Sequence, residues 1–333
     1  MSSLTLHKTC LKVQVLYERS IDIFGGMIWA KVLSMIFQSN ATTWLGVAVD
    51  EVRHRYILDR GVFLRGETVR HYISCLGATH SALDELKSLS NNLVADPTLP
   101  FRRSCNGRFL FDFARREISR LEAQPFILSH DEDFVRFDSS SLREFDEISG
   151  DLQNNTAFQA LLKLKLMIIQ GVVTEPRKNL VESAHQSICT VFNLRTVTNS
   201  ALLGQPALEG VHSDGVDHTM TTFLGSKNMT SDSAVTFIHD KREVNGTRWD
   251  SASSEHLLWK AQHRDFLDTL LIVDNERKHS LSPVYAVDEY EDATRDMLIF
   301  FTRKPTNSLH VTYPYDSRDA HKSMPLNLSI PLV

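Results

Sequence analysis

Four cysteines, Cys10, Cys75, Cys105 and Cys189, are scattered over 333 residues, and none forms a C-x-x-C pair. A disulfide framework or a structural zinc knuckle needs paired, closely spaced cysteines, so neither is expected; a reducing compartment, the cytoplasm, fits best. An excess of basic charge is also missing, since 36 Lys and Arg stand against 41 Asp and Glu for a net charge of −5. A nucleic-acid partner is therefore disfavoured, because phosphates call for a concentrated cationic face. The opening MSSLTLHKTC lacks the basic-then-apolar pattern of a secretory signal. The apolar stretch from Ile21 to Phe37 carries Asp22, Lys31 and a Gly25-Gly26 break, which makes it a poor membrane span. G-x-G-x-x-G, P-loop, G-x-S-x-G and H-E-x-x-H signatures are all absent, so nucleotide binding, serine hydrolysis and zincin proteolysis lose support.

At 42% hydrophobic and 23% charged, the chain has the composition of a packed globular protein. Leu83, Leu86, Leu89 and Leu93 recur at helical spacing and predict a helix over His80–Leu93, stopped by Asp96-Pro97 and Leu99-Pro100. Leu152, Phe158, Leu161, Leu162 and Leu166 predict a second amphipathic helix over Asp151–Gln170, with lysines among its leucines. Beyond Glu175-Pro176 the texture changes to short β-branched and aromatic runs between turn residues: Ser187–Phe192, Thr219–Leu224, Ala234–Ile238, Thr269–Val273, Met297–Thr302 and His310–Tyr313. Strands at this spacing predict a sandwich or barrel. The expected fold is mainly β with helical additions, a largely helical region over residues 1–175 and a β core over 176–333, joined in one integrated domain.

Fourteen histidines invite a search for a metal site. His212-Ser213-Asp214 is the best start, because residues two apart on a strand project to one face and can offer an imidazole nitrogen and a carboxylate oxygen to one ion. A histidine from a neighbouring strand would complete a 2-His-1-carboxylate set, the ligand pattern of non-haem Fe(II) oxygenases. His279 follows the strand-like Thr269–Val273 and a turn; further on, Arg295 opens another strand, where its guanidinium fork suits the far carboxylate of a chelated 2-oxo acid. A second triplet, His263-Arg264-Asp265, would need His310 and Arg318 from an irregular tail and is the poorer constellation. Asp217 and His218 read as turn or supporting residues, Asp274 as part of a turn, and His256 and His263 as an ordinary helix or loop face.

The stretch from His185 to about Pro305 resembles the 2-oxoglutarate/Fe(II) dioxygenases that hydroxylate free amino acids, exemplified by bacterial L-isoleucine hydroxylases. Pro206-Ala-Leu-Glu-Gly-Val-His-Ser-Asp-Gly-Val-Asp217 is close to that family's P-x-P-E-G-x-H-x-D-G-x-D, and Lys227–Met229, Asp268–His279, Ser282–Val284 and Arg295–Phe301 match further blocks. The resemblance implies a double-stranded β-helix (jelly roll), in agreement with the β reading. It implies Fe(II), 2-oxoglutarate and O2 as cofactor and cosubstrates, His212, Asp214 and His279 as catalytic iron ligands, and Arg295 as the 2-oxoglutarate anchor. Ser231-Asp232 replaces the family's Gly-Gly, and Leu208 its second proline. The substituted Gly-Gly block and the eukaryotic-looking N-terminal half suggest a fungal secondary-metabolism branch of this family; one such branch resembles enzymes that turn L-valine into an aziridine carboxylic acid.

Met297, Ile299 and Phe301 alternate in step with Arg295 and so are expected to wall the cavity in front of an aliphatic substrate side chain. Arg108 and Arg195 are candidates for the substrate's own carboxylate. The expected partner is a small amino acid, with no nucleic acid and no membrane. A non-catalytic metal-binding jelly roll is the rival, and Arg295 argues against it, because a structural metal site needs no 2-oxo acid anchor.

Overall fold

The computed structural model describes residues 44–129, 136 and 138–331, so Cys10 and the Ile21–Phe37 stretch lie outside the described residues. From Val47 onward the described residues form one compact unit. Its main sheet holds eight antiparallel strands. In chain order these are β1 (Gly61–Leu64), β2 (Arg102–Asp112), β3 (Glu117–Leu121), β4 (Gln186–Thr198), β5 (His218–Lys227), β8 (Thr269–Val273), β10 (Ala293–Arg303) and β11 (Asn327–Ser329). Across the sheet they run β1-β8-β5-β10-β4-β2-β3-β11. A smaller sheet of β6 (Thr236–His239), β7 (Leu257–Ala261) and β9 (Lys278–Leu281) has the order β7-β6-β9. The architecture is the expected one, mostly antiparallel β with helices.

The helices are α1 (44–59), α2 (Gly66–Cys75), α3 (His80–Leu86), α4 (Gly150–Asn154) and α5 (Thr156–Ile169). Val49, Val52 and Tyr56 recur on one face of α1 and are buried. The side chain of Asn155 caps α5 by accepting from the N–H groups of Ala157 and Phe158, both at 3.0 Å. Helix α5 is buried nearly all round, with α2, α3 and α4 against it. Phe158 stacks on Phe300 of β10 at 6.3 Å. Lys165, read in the sequence as part of an ordinary amphipathic stripe, is fully buried; its ammonium donates to the carbonyls of His218 on β5, at 3.1 Å, and Phe300. The helix is thereby fastened to two strands of the main sheet.

Four local expectations are corrected. The helix from His80 ends at Leu86, because the chain turns so that Ser90 can donate to the buried Asn193 side chain at 2.8 Å. Residues 61–121 contribute three strands beside their helices. Long-range pairing overrides local texture there, since β2 is in register with β4 from Arg102 opposite Thr196 to Asp112 opposite Gln186. His310–Tyr313 is no strand, because His310 Nδ1 accepts from the Thr312 N–H and a 3-10 turn, Tyr313–Tyr315, follows. His256 and His263 do lie in the turn and loop that flank strand β7, but His263 is buried there instead of forming an ordinary loop face.

Candidate active site

His212 lies in the link between β4 and β5, where a short segment pairs with β9. Its N–H donates to the His279 carbonyl at 3.0 Å, and the His279 N–H donates back at 2.9 Å. Gly210, two residues earlier, has φ +75°, and a Cβ there would lie 2.5 Å from the Thr247 carbonyl oxygen, so the position requires glycine. The Gly210 carbonyl accepts a 2.8 Å hydrogen bond from His212 Nδ1, which leaves Nε2 as the metal-binding nitrogen. His212 Nε2 is 3.4 Å from Asp214 Oδ1, and His279 Nε2 is 3.7 Å from Asp214 Oδ2. One donor atom from each of the three buried residues lies within 4.8 Å of the other two. The set could hold one metal ion, with ligand types suited to Fe(II).

Surrounding groups fix these ligands. The Thr219 hydroxyl donates to Asp214 Oδ2 at 2.8 Å. Asp274, fully buried after β8, accepts the Asp214 backbone N–H on Oδ2 at 2.8 Å. Its Oδ1 lies 4.0 Å from His279 Nδ1, and neither atom has a hydrogen-bond partner among the described residues. Small adjustment would join them in the carboxylate–histidine–metal relay that orients an imidazole. Burial and the neighbouring Asp214 charge push the Asp274 carboxyl well above the usual range. Burial also acts against the charged Asp214, but His279 and His212 outweigh it and hold that carboxyl low. At His212 burial is outweighed by Glu209 and Asp214, which raise the imidazole to about 9; His279 is depressed by burial to about 4. A proton and a metal ion thus compete for the lone pair of His212.

The three residues open into a cavity between the two sheets. Leu270 and Ile272 of β8, Met297, Ile299 and Phe301 of β10, and Phe192 and Leu194 of β4 make its apolar walls. Arg295 lies in the same cavity with its side chain buried, and no carboxylate of the described residues lies within 4 Å of its guanidinium. Its Nε has no partner, nor has Thr196 Oγ1 on the β4 residue directly opposite. Desolvation lowers the Arg295 guanidinium to about 10. A buried cation without an acid, in a cavity shared with a 2-His-1-carboxylate set, fits the far carboxylate of a chelated 2-oxo acid.

The 2OG-Fe dioxygenase family model matches residues 87–301. The chain belongs to that family. The bifunctional enzyme flvA of Aspergillus flavus is 46% identical over 280 residues, which are 84% of this chain and 34% of the relative, so the chain spans about a third of that protein's length. Among solved structures, the Fe(II)/α-ketoglutarate-dependent dioxygenase TqaL is 47% identical with a TM-score of 0.75, covering 86% of this chain and 97% of the other. IDO from Bacillus thuringiensis shares the fold at 13% identity and a TM-score of 0.58, over 77% of this chain and 95% of its own. This 2OG-Fe dioxygenase is an enzyme whose family uses Fe(II), 2-oxoglutarate and O2.

In the dioxygenase fold His212, Asp214, His279, Arg295, Met297, Ile299 and Phe301 all meet in one cavity. The two arginines proposed for the substrate do not. Arg195 points to the other face of β4, where Asp296 holds it through two contacts of 2.6 Å. Arg108 lies in a separate small cavity beyond Phe301, 3.5 Å from Asp316. Sequence reasoning passed over Arg102, Arg136, Arg143 and Glu209, which also line the main cavity, and Asp274, whose partner segment is distant in the chain. His263 is buried in the wall, its Nε2 3.1 Å from the Thr221 hydroxyl and its imidazole depressed to about 3 by burial and then by Arg295. Among the described residues no helix is long and apolar enough to cross a membrane.

Proposed function

We propose that this dioxygenase oxidises a free aliphatic L-amino acid of the valine, isoleucine or leucine kind. Hydrogen abstraction from its side chain would lead to hydroxylation or to C–N closure into an aziridine, in cytoplasmic secondary metabolism. His212, Asp214 and His279 hold the iron, and Arg295 takes the far carboxylate of 2-oxoglutarate. When bound, Fe(II) and 2-oxoglutarate would activate O2 and so supply an oxidant able to take hydrogen from an unactivated C–H bond. The protein's own part is placement. Asp274 and Gly210 orient the ligands, Arg295 fixes the cosubstrate, and the walls keep water from the reacting carbon.

One observation carries the substrate reading: Met297, Ile299 and Phe301 follow Arg295 into the cavity that the three ligands share. A charged substrate side chain against that wall would be desolvated without a partner, whereas a branched aliphatic one fits it. The aziridine outcome rests on the resemblance of the diverged Ser231-Asp232 block to the fungal branch. Free thiols at Cys75, Cys105 and Cys189 support a reducing location.

The test offers each of the twenty L-amino acids with Fe(II), 2-oxoglutarate and O2 and follows succinate and amino-acid products by mass spectrometry. Aliphatic residues should give coupled product, either hydroxylated or two hydrogens lighter. Coupled turnover confined to Lys, Arg or Glu would overturn the reading.

A further inference from the structure

Glu209 has no part in the roles assigned above. Its side chain is only 9% exposed, and its Oε1 lies 3.2 Å from His212 Nε2, the nitrogen that faces the metal position. It stands outside the compact ligand set, which among the described residues joins only His212, Asp214 and His279. Among those residues His212 is also its only ion-pair partner.

Metal binding removes that partner. His212 Nδ1 is committed to the Gly210 carbonyl, so coordination takes the Nε2 lone pair and leaves no proton there to donate. The Glu209 carboxylate, enclosed beside the iron, then needs another cation. The arginines of the cavity make their direct contacts elsewhere, although Arg136 and Arg143 stand near enough to feel the Glu209 charge. Asp96 holds Arg102 at 2.7 Å, and Asp138 holds Arg136 at 2.7 Å and Arg143 at 3.2 Å. Arg295 is assigned to 2-oxoglutarate. A free α-amino acid brings its own cation on the carbon next to the side chain under attack.

We infer that Glu209 is a positioning residue that binds the substrate's α-ammonium group, so that the site selects α-amino acids over the corresponding des-amino acids; this rests on the amino-acid reading above. The charge contact would set the substrate's Cα beside the metal and direct its side chain toward Ile299 and Phe301.

The test is calorimetric and needs no turnover. Wild type and Glu209→Gln, loaded with Mn(II) and 2-oxoglutarate under nitrogen, are titrated with L-valine and with 3-methylbutanoate, the same skeleton without the amine. Wild type should bind L-valine at least about tenfold more tightly, and the variant should lose most of that preference. Mn(II) should still bind, binding of 3-methylbutanoate and 2-oxoglutarate should stay unchanged, and Glu209→Asp should recover part of the preference. An undiminished preference in Glu209→Gln would overturn the inference while leaving the amino-acid reading intact, and loss of Mn(II) binding would overturn it in favour of a metal-site role. Failure of wild type to bind any aliphatic L-amino acid would overturn both.

Discussion

His212 and His279 face each other as a hydrogen-bonded antiparallel pair, each N–H donating to the other's carbonyl, with ring centroids 4.3 Å apart. Side chains of such a pair rise from the same face. Asp214, two residues further, comes back to that face. Main chain thus places the ligands, and the pairing does not depend on the imidazoles. Alanine at His212, Asp214 or His279 should leave the circular dichroism spectrum unchanged while Fe(II) binding and turnover are lost.

Asp274 should matter to the metal without touching it. Its carboxylate receives the Asp214 N–H and stands 4.0 Å from His279 Nδ1. Asp274→Ala should weaken metal binding by about 10–100-fold, as loss of a carboxylate behind a ligating histidine commonly does. Competition against a chelator measures it; wild-type affinity would remove Asp274 from the site's design.

Arg295→Ala deletes a buried cation that would face a carboxylate, a loss of roughly 2–5 kcal/mol when the partner stays desolvated. The apparent affinity for 2-oxoglutarate should fall by at least about one order of magnitude, with iron binding little altered. Initial rates against cosubstrate concentration would show it, and an unchanged profile would assign the anchor elsewhere.

Phe301 packs on Phe126 at 6.1 Å and Phe192 at 5.7 Å, so its truncation opens space in the wall. Phe301→Ala and Ile299→Ala should shift the preferred substrate toward longer aliphatic chains or change the ratio of products. Mass spectrometry of mixed amino-acid reactions reads this directly. Identical selectivity in both variants would make these residues simple core.

Burial pushes the Lys165 ammonium down to about 8, with Cys189 opposing. Because the unfolded chain holds that proton up to about 10.5, unfolding takes up a proton between these values and stability rises with pH across the window. The shift is worth at most about 3 kcal/mol. Lys165→Met keeps the apolar stem and removes the titration, so its stability relative to wild type should be highest at pH 7.5 and decline toward pH 10.5. Urea melts across that range provide the comparison; a constant difference would show that Lys165 does not titrate there.

The residues legible in the sequence were those whose placement follows from strand alternation: His212 with Asp214, and Arg295 with Met297, Ile299 and Phe301. Alternation alone does not say which face looks inward. Arg195 follows Leu194, a cavity residue, and for that reason points away, to Asp296. Asp274 could not be read because Val273-Asp-Asn-Glu looks like any turn, and its meaning depends on backbone N–H groups some 60 residues earlier. β7 and β9, of five and four residues, were too short to show a period, and β2 is a strand chiefly because β4 lies beside it.

The most direct test of the assigned site is anaerobic absorption spectroscopy of protein with Fe(II) and 2-oxoglutarate. Wild type should show the weak visible metal-to-ligand charge-transfer band at one equivalent of iron and shift it on addition of L-valine. Asp214→Ala should show no band at that stoichiometry. A band of wild-type intensity in Asp214→Ala, or none in folded wild-type protein, would contradict the account.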